Sequence, residues 1–379
     1  MADANSRLDP VGVIPTPADL IARAEALVPL LRGEAREAER LHRLTDRTVK
    51  ALEDAGIFRM IRPAHRGGYG TDPATLSKVI TTIASGCAST TWILMIYISI
   101  FQLAELLGEE TLAEIYAAQH PRIAGVFGRD GATLVRTEGG YKVRGEGFWP
   151  FNSGCRHADW DLLMCSVEEE DGSRWKAFAG VPTADLEMCD DWDVMGASGT
   201  GSNGVRCGAI FVPGHRVAPV PANFMGVFRE DLSAATSCAL PLGMARHALE
   251  AFVELARTCS INHLGYASMG DAPAVQTALA MSAADIKLIE CYQQFVLSPY
   301  TGGPERSAED AALLSPGSVR CIELARGVIE RLLALAPSTE IHRSGALQRL
   351  LRDIHTFQHQ HAMTPHIAYE QYGRRFFAS

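Results

Sequence analysis

The chain has 379 residues, 47% hydrophobic and 21% charged, and its 35 basic against 44 acidic residues give a net charge of −9. The length suits two or three packed subdomains. The composition excludes a mainly disordered, collagenous, coiled-coil or disulfide-scaffold protein, and the acidic balance argues against a nucleic-acid or anionic-membrane surface.

The opening stretch, MADANSRLDPVGVIPTPADL, has neither a basic n-region nor an apolar h-region, so no signal peptide is expected. From Thr16 to about Gln119 the pattern is helical, with Leu20, Ile21, Ala24, Leu27, Leu30 and Leu31 at spacings of three and four. Thr45 is placed to cap a run ending near Gly56, and Pro63, Gly67, Gly68 and Gly70 mark a break. Residues 84–107 then read as a helix buried on most sides. Its most apolar part, 92–107, contains Ser99, Gln102 and Glu105 and falls short of the roughly 20 apolar residues of a spanning helix.

From Ile123 to about Val220 the pattern is that of β-structure. Gly139-Gly140 and Asp171-Gly172 each sit between short β-rich runs, which predicts two hairpins. Helices return from Leu232, over roughly 232–264, 273–298, 307–335 and 345–363, joined by short Gly/Pro-bearing turns as in an antiparallel bundle. The expected organisation is a helical domain over 1–122, a β-domain over 123–220 and a four-helix bundle over 221–379.

Four features bear on chemistry. Residues 199–204, GTGSNG, match G-x-G-x-x-G, but a strand ending in Pro213 follows where a dinucleotide fold needs a helix. A glycine-rich loop between strands is the better reading. The nine cysteines are scattered without any Cys-x-x-Cys, which argues against zinc or a disulfide framework and fits free thiols in a reducing cytoplasm. Four histidines fall between His355 and His366. His355 and His359 are four apart, yet nothing supplies a third metal ligand, so acid/base or hydrogen-bonding work at a pocket wall is the favoured role. Ser153 sits in a Pro/Asn/Gly turn, suited either to capping that turn or to hydrogen-bonding a planar heterocycle.

The order helical bundle, β-domain, four-helix bundle, together with six segments, resembles the acyl-CoA dehydrogenase fold, and within it the oxygenase components of two-component flavin-dependent monooxygenases. The segments are GIFRMIRPAHRGGYG (56–70), ASGCASTTW (84–92), GGYKVRGEGFWPFNSGCRHADW (139–160), WDVMGASGTGSNGV (192–205), FVPGHRV (211–217) and RDIHTFQHQHAMTPHIAYEQYGR (352–374). The resemblance implies a homotetramer holding FMNH2 or FADH2, delivered by a separate NAD(P)H-dependent flavin reductase. With O2 and a C4a-hydroperoxyflavin it would hydroxylate an aromatic or heteroaromatic small molecule, with no membrane or nucleic-acid partner.

Carried over by position, Trp149, Phe151, Asn152 and Ser153 form the loop flanking the flavin ring, with Ser153 near flavin N5. Thr200, Gly201 and Ser202 match a T-G-S stretch beside the flavin, and Arg257 lies near an arginine that holds the flavin phosphate. Two departures stand out. Ile100 occupies a position where relatives often carry histidine, and Gln360 occupies that of the catalytic histidine. His359 and His361 flank Gln360 as candidate bases, and the apolar stripe through Leu347, Leu350, Leu351 and Ile354 favours His361 on a continuous helix. Rival readings are an acyl-CoA dehydrogenase using Glu370, an amine N-oxygenase, and a non-catalytic flavin-binding scaffold.

Overall fold

The computed structural model describes residues 14–60, 62, 64–118, 120–360 and 363–377. Capping chemistry sets the first helices. Thr16 and Asp19 form a reciprocal capping box at α1 (Pro17–Leu41), Thr45 accepts from the Thr48 amide at α2 (Asp46–Asp54) as expected, and Asp72 caps α3 (Pro73–Ala84).

The single helix expected over 84–107 is interrupted. It starts afresh as α4 (Ala88–Ala104), and α5 (Glu109–Ile115) follows. At the break, a Cβ on Gly86 would lie 2.8 Å from Leu31 Cβ. The chain therefore needs glycine to bring this turn against α1. Ala88–Leu107 is long and apolar enough to span a membrane by composition, and 67% of that window is buried inside the protein. Its burial is that of a core helix.

The β-region contains β1 (Ile123–Val126), β2 (Thr133–Thr137), β3 (Gly140–Val143), β4 (Gly147–Trp149), β5 (Trp160–Glu168), β6 (Arg174–Pro182), β7 (Glu187–Met188), β8 (Val205–Cys207), β9 (Phe211–Pro213) and β10 (Val217–Pro219). The larger sheet has the order β10-β6-β5-β2-β3-β9, with β1 also pairing β5, and the smaller is β4-β8-β7. Both predicted hairpins form, β2–β3 and β5–β6, with Gly139 and Gly172 at φ 74° and 80° in their turns.

The remaining helices are α6 (Glu230–Ser237), α7 (Ala239–Thr258), α8 (Pro273–Leu297), α9 (Ala308–Ala312), α10 (Leu314–Leu335), α11 (Ala346–Phe357) and α12 (Pro365–Gly373). α10 packs against α7, α8 and α11, and Trp92 of α4 joins the apolar core they share. Two expected boundaries are corrected. The helix expected over 232–264 breaks at Cys238 and ends at Thr258. The one expected over 345–363 ends at Phe357, after which the chain tightens, the His359 amide bonding Thr356 O and the Gln360 amide Phe357 O. Pro365, at the start of α12, cannot continue a helix and pushes the residue before it out of helical geometry.

Candidate active site

Two loops, 150–155 after β4 and 197–203 before β8, are joined by backbone bonds from the Asn152 amide to Asn203 O (3.1 Å) and from the Gly154 amide to Thr200 O (3.0 Å). α4 lies across them. Tyr97 Oη donates to Gly154 O at 2.8 Å and Trp92 Nε1 donates to Ser153 Oγ at 3.0 Å. Gly154 has φ 77°, and a Cβ there would come within 2.9 Å of Ile93 and of the Tyr97 hydroxyl.

From Trp92 a chain of hydroxyls runs inward. Ser153 Oγ is 2.7 Å from Ser202 Oγ, which is 2.8 Å from Thr200 Oγ1, and that hydroxyl bonds Ala197 O at 2.7 Å. The ends set its direction, because an indole N–H only donates and a carbonyl only accepts. Thr200 spends its hydrogen on Ala197, Ser202 donates to Thr200, and Ser153 donates to Ser202. Ser153, Ser202 and Thr200 are 7%, 5% and 1% exposed. What Ser153 has left to offer a ligand is a lone pair.

Ala197 is the anchor of this chain. It adopts φ 56°, a left-handed conformation that costs a non-glycine residue roughly 1–2 kcal/mol. Its amide donates to Asp353 Oδ1 of α11 at 2.6 Å, and its carbonyl also accepts from Trp192 Nε1 at 3.4 Å. Burial pushes the Asp353 carboxyl up to about 6. One turn on from Asp353, Phe357 stacks on Trp92, ring centroids 4.9 Å apart. Trp192 meets the ring of Phe151 edge-on at 6.2 Å, and Phe151 is 72% exposed with φ 60°.

The structure thus brings Ser153, Thr200 and Ser202 together, with Gly201 buried between the last two. Trp149 is corrected: it is 1% exposed and its Nε1 donates to Met164 O at 2.7 Å, so its ring packs in the core instead of flanking a ligand. Asn152 is fully buried, its amide nitrogen held by Asp161. Arg257 is exposed at the end of α7, where Glu254 at 3.9 Å is its ion-pair partner. His359 lies exposed beyond the end of α11, so the helical-wheel comparison with His361 does not apply there. His361 lies outside the described residues. Glu370 is paired with Arg374 on α12 and well exposed, a poor setting for a dehydrogenase base. Among the described residues no His, Cys, Asp or Glu cluster could hold a metal.

A flavin ring needs an aromatic face to stack on and a polar atom at its centre. Phe151 presents an exposed ring and Ser153 a lone pair that would suit such a group, while Trp149 and Asn152 are buried with their polar groups bonded within the protein. Trp92, Trp192 and Asp353 were not singled out from the sequence. Their signal was their place inside the ASGCASTTW, WDVMG and RD segments.

Residues 235–365 match the family model described as acyl-CoA dehydrogenase, C-terminal domain. The chain is 31% identical to flavin-dependent monooxygenase, oxygenase subunit HsaA, of Rhodococcus jostii (strain RHA1), over 93% of its own length and 96% of that protein. Among solved structures, 3-HSA hydroxylase from Rhodococcus sp. RHA1 superposes with a TM-score of 0.80 at 28% identity, covering 95% of this chain and 96% of that one. XiaF from Streptomyces sp., in complex with FADH2 and glycerol, gives 0.82 at 26% identity, covering 95% of each chain. The fold is the acyl-CoA dehydrogenase-like one read from the sequence, and the chain belongs to the oxygenase subunits of the flavin-dependent monooxygenases.

Proposed function

We propose that this protein uses reduced FMN or FAD, supplied by a separate NAD(P)H-dependent reductase, to hydroxylate an aromatic or heteroaromatic small molecule. The direction of the Trp92–Ser153–Ser202–Thr200 chain carries the reading. N5 of a reduced flavin bears a hydrogen and N5 of an oxidised one bears a lone pair, so a Ser153 able only to accept favours the reduced form.

When bound, the flavin supplies the oxygen chemistry. The chain's own residues do the rest. Phe151 offers a stacking face, and Ser153 accepts at the ring. Trp92, Phe357 and Ile93 form an apolar wall behind the hydroxyls, which keeps water out and oxygen transfer coupled. His361, or else His359, is the candidate base that takes a substrate proton.

Relatives named for p-hydroxyphenylacetate, resorcinol and indole-3-acetate support an aromatic substrate. A homotetramer is supported by α8, where Met281, Leu288 and Phe295 recur every seven residues, all exposed.

The test supplies a generic flavin reductase, NADH and a panel of aromatic substrates, read by an oxygen-dependent mass gain of one atom. Product should form only with the reductase present. NADH oxidation by the pure protein alone defeats the two-component reading.

A further inference from the structure

We propose that Cys238 and Cys321 form a peroxide-oxidisable dithiol, a modification site at which hydrogen peroxide converts the two thiols to a disulfide fastening the start of α7 to α10. The two Sγ atoms lie 3.8 Å apart in a hydrogen bond that joins residues 83 positions apart in sequence. Cys238 is fully buried and Cys321 is 2% exposed. No other two of the nine cysteines share a hydrogen bond among the described residues.

The two sulfurs differ in chemistry. Cys238 occupies the N-cap position of α7, a 20-residue helix with no side-chain cap, and a helix N-terminus favours a thiolate. Cys321, in the body of α10, donates its S–H to Cys238. That bond holds the Cys238 thiol below its ordinary value against the opposite push of burial, and it holds the Cys321 thiol above its own. Cys238 is the attacking sulfur and Cys321 the resolving one. Cys238 also sits at the junction of α6 and α7, where no continuous helix fixes it. The sulfurs can therefore close from 3.8 Å to the roughly 2.0 Å of a disulfide.

The oxidant is hydrogen peroxide, which an oxygenase releases when its reaction uncouples. The pair shares one apolar core with Trp92 and Phe357, the wall of the proposed oxygenase site. Burial excludes bulky or charged oxidants and leaves a small neutral one. The Cys238 thiolate attacks peroxide, the O–O bond breaks, and a sulfenic acid forms as hydroxide leaves and takes up a proton. Cys321 then attacks the Cys238 sulfur, the S–O bond breaks, and the departing hydroxide takes the Cys321 proton. Two thiols and one peroxide become one disulfide and two waters, with two electrons passing from sulfur to oxygen.

The probe is hydrogen peroxide added to the reduced, folded protein without flavin or substrate, so the outcome is independent of the oxygenase reading. Peptide mapping under non-reducing conditions should find the Cys238 and Cys321 peptides linked and lighter by two hydrogens, and dithiothreitol should separate them. Cys321→Ser should stop at a sulfenic acid on Cys238 that dimedone traps, and Cys238→Ser should leave Cys321 a thiol. If a variant does not fold, the map of the unaltered protein decides. The proposal is overturned by unlinked Cys238 and Cys321 in folded protein whose exposed Cys291 has been oxidised. A link that forms only after unfolding in urea, or a sulfenic acid on Cys321 in Cys238→Ser, overturns it equally.

Discussion

The Ala197 amide donates to the Asp353 carboxyl at 2.6 Å, across 156 residues of sequence. Burial holds that carboxyl at about 6, above its ordinary 3.8. The folded state therefore binds the proton more tightly than the unfolded one. This group's contribution is full below about pH 4 and is lost as pH rises through about 6. Asp353→Asn should flatten that decline, worth on the order of 1–3 kcal/mol. Asp161, also pushed up to about 6 by burial, adds a decline of the same sign. Urea unfolding from pH 4 to 7 measures it, and an unchanged slope in Asp353→Asn contradicts the assignment.

Ser202→Ala should relax the choice between flavin redox states. Without Ser202, the Ser153 hydrogen is released and can point to an oxidised N5. One neutral hydrogen bond is worth about 0.5–1.5 kcal/mol, so the ratio of reduced to oxidised affinity should fall roughly three- to tenfold. Anaerobic and aerobic titrations give both values. Ser153→Ala should lower the same ratio and raise hydrogen peroxide release during turnover.

His361→Ala should lose hydroxylation by roughly 10²–10⁴-fold, the usual worth of a general base, while still binding reduced flavin. His359→Ala should keep turnover, because His359 is exposed past the end of α11. Full coupled turnover in both variants places the base elsewhere or shows that the reaction needs none.

Phe151→Gly should separate stability from binding. Phe151 is a bulky residue at φ 60°, and glycine there removes roughly 1–2 kcal/mol of strain. The variant should melt higher yet bind reduced flavin more weakly, having lost an exposed ring. A variant that melts lower and binds flavin as before argues against the stacking role.

Leu288→Glu should dissociate the proposed homotetramer. Leu288 is 57% exposed at the middle of the α8 apolar stripe, and a carboxylate buried at such an interface has no counter-charge. Light scattering should report a smaller species. An unchanged mass moves the interface off α8.

Features decided within a few residues were legible. The Thr45 cap, the Gly139 and Gly172 hairpin turns and the amphipathic helices of the C-terminal half follow from local geometry. Features decided by distant contacts were not. The break before α4 depends on Gly86 meeting Leu31, and the Ala197 anchor depends on Asp353. Trp149 was placed by position in a motif, and nothing in that motif reveals that its indole is spent on Met164. The end of α11 was legible in Pro365 but was overridden by the apolar stripe that precedes it.

The reach from Ala197 to Asp353 also has a timetable. At roughly 5–20 residues per second, synthesis of the 156 residues between them takes on the order of 8–30 s. During that interval the Ala197 amide has no Asp353 carboxyl to donate to, so that contact cannot offset the cost of the left-handed conformation the alanine adopts in the folded protein. A Cβ on Gly196 would sit 2.1 Å from Arg352 O, so the loop and α11 close together only in full register. The oxygenase chamber is therefore completed late on the ribosome, after most of the C-terminal helices have emerged.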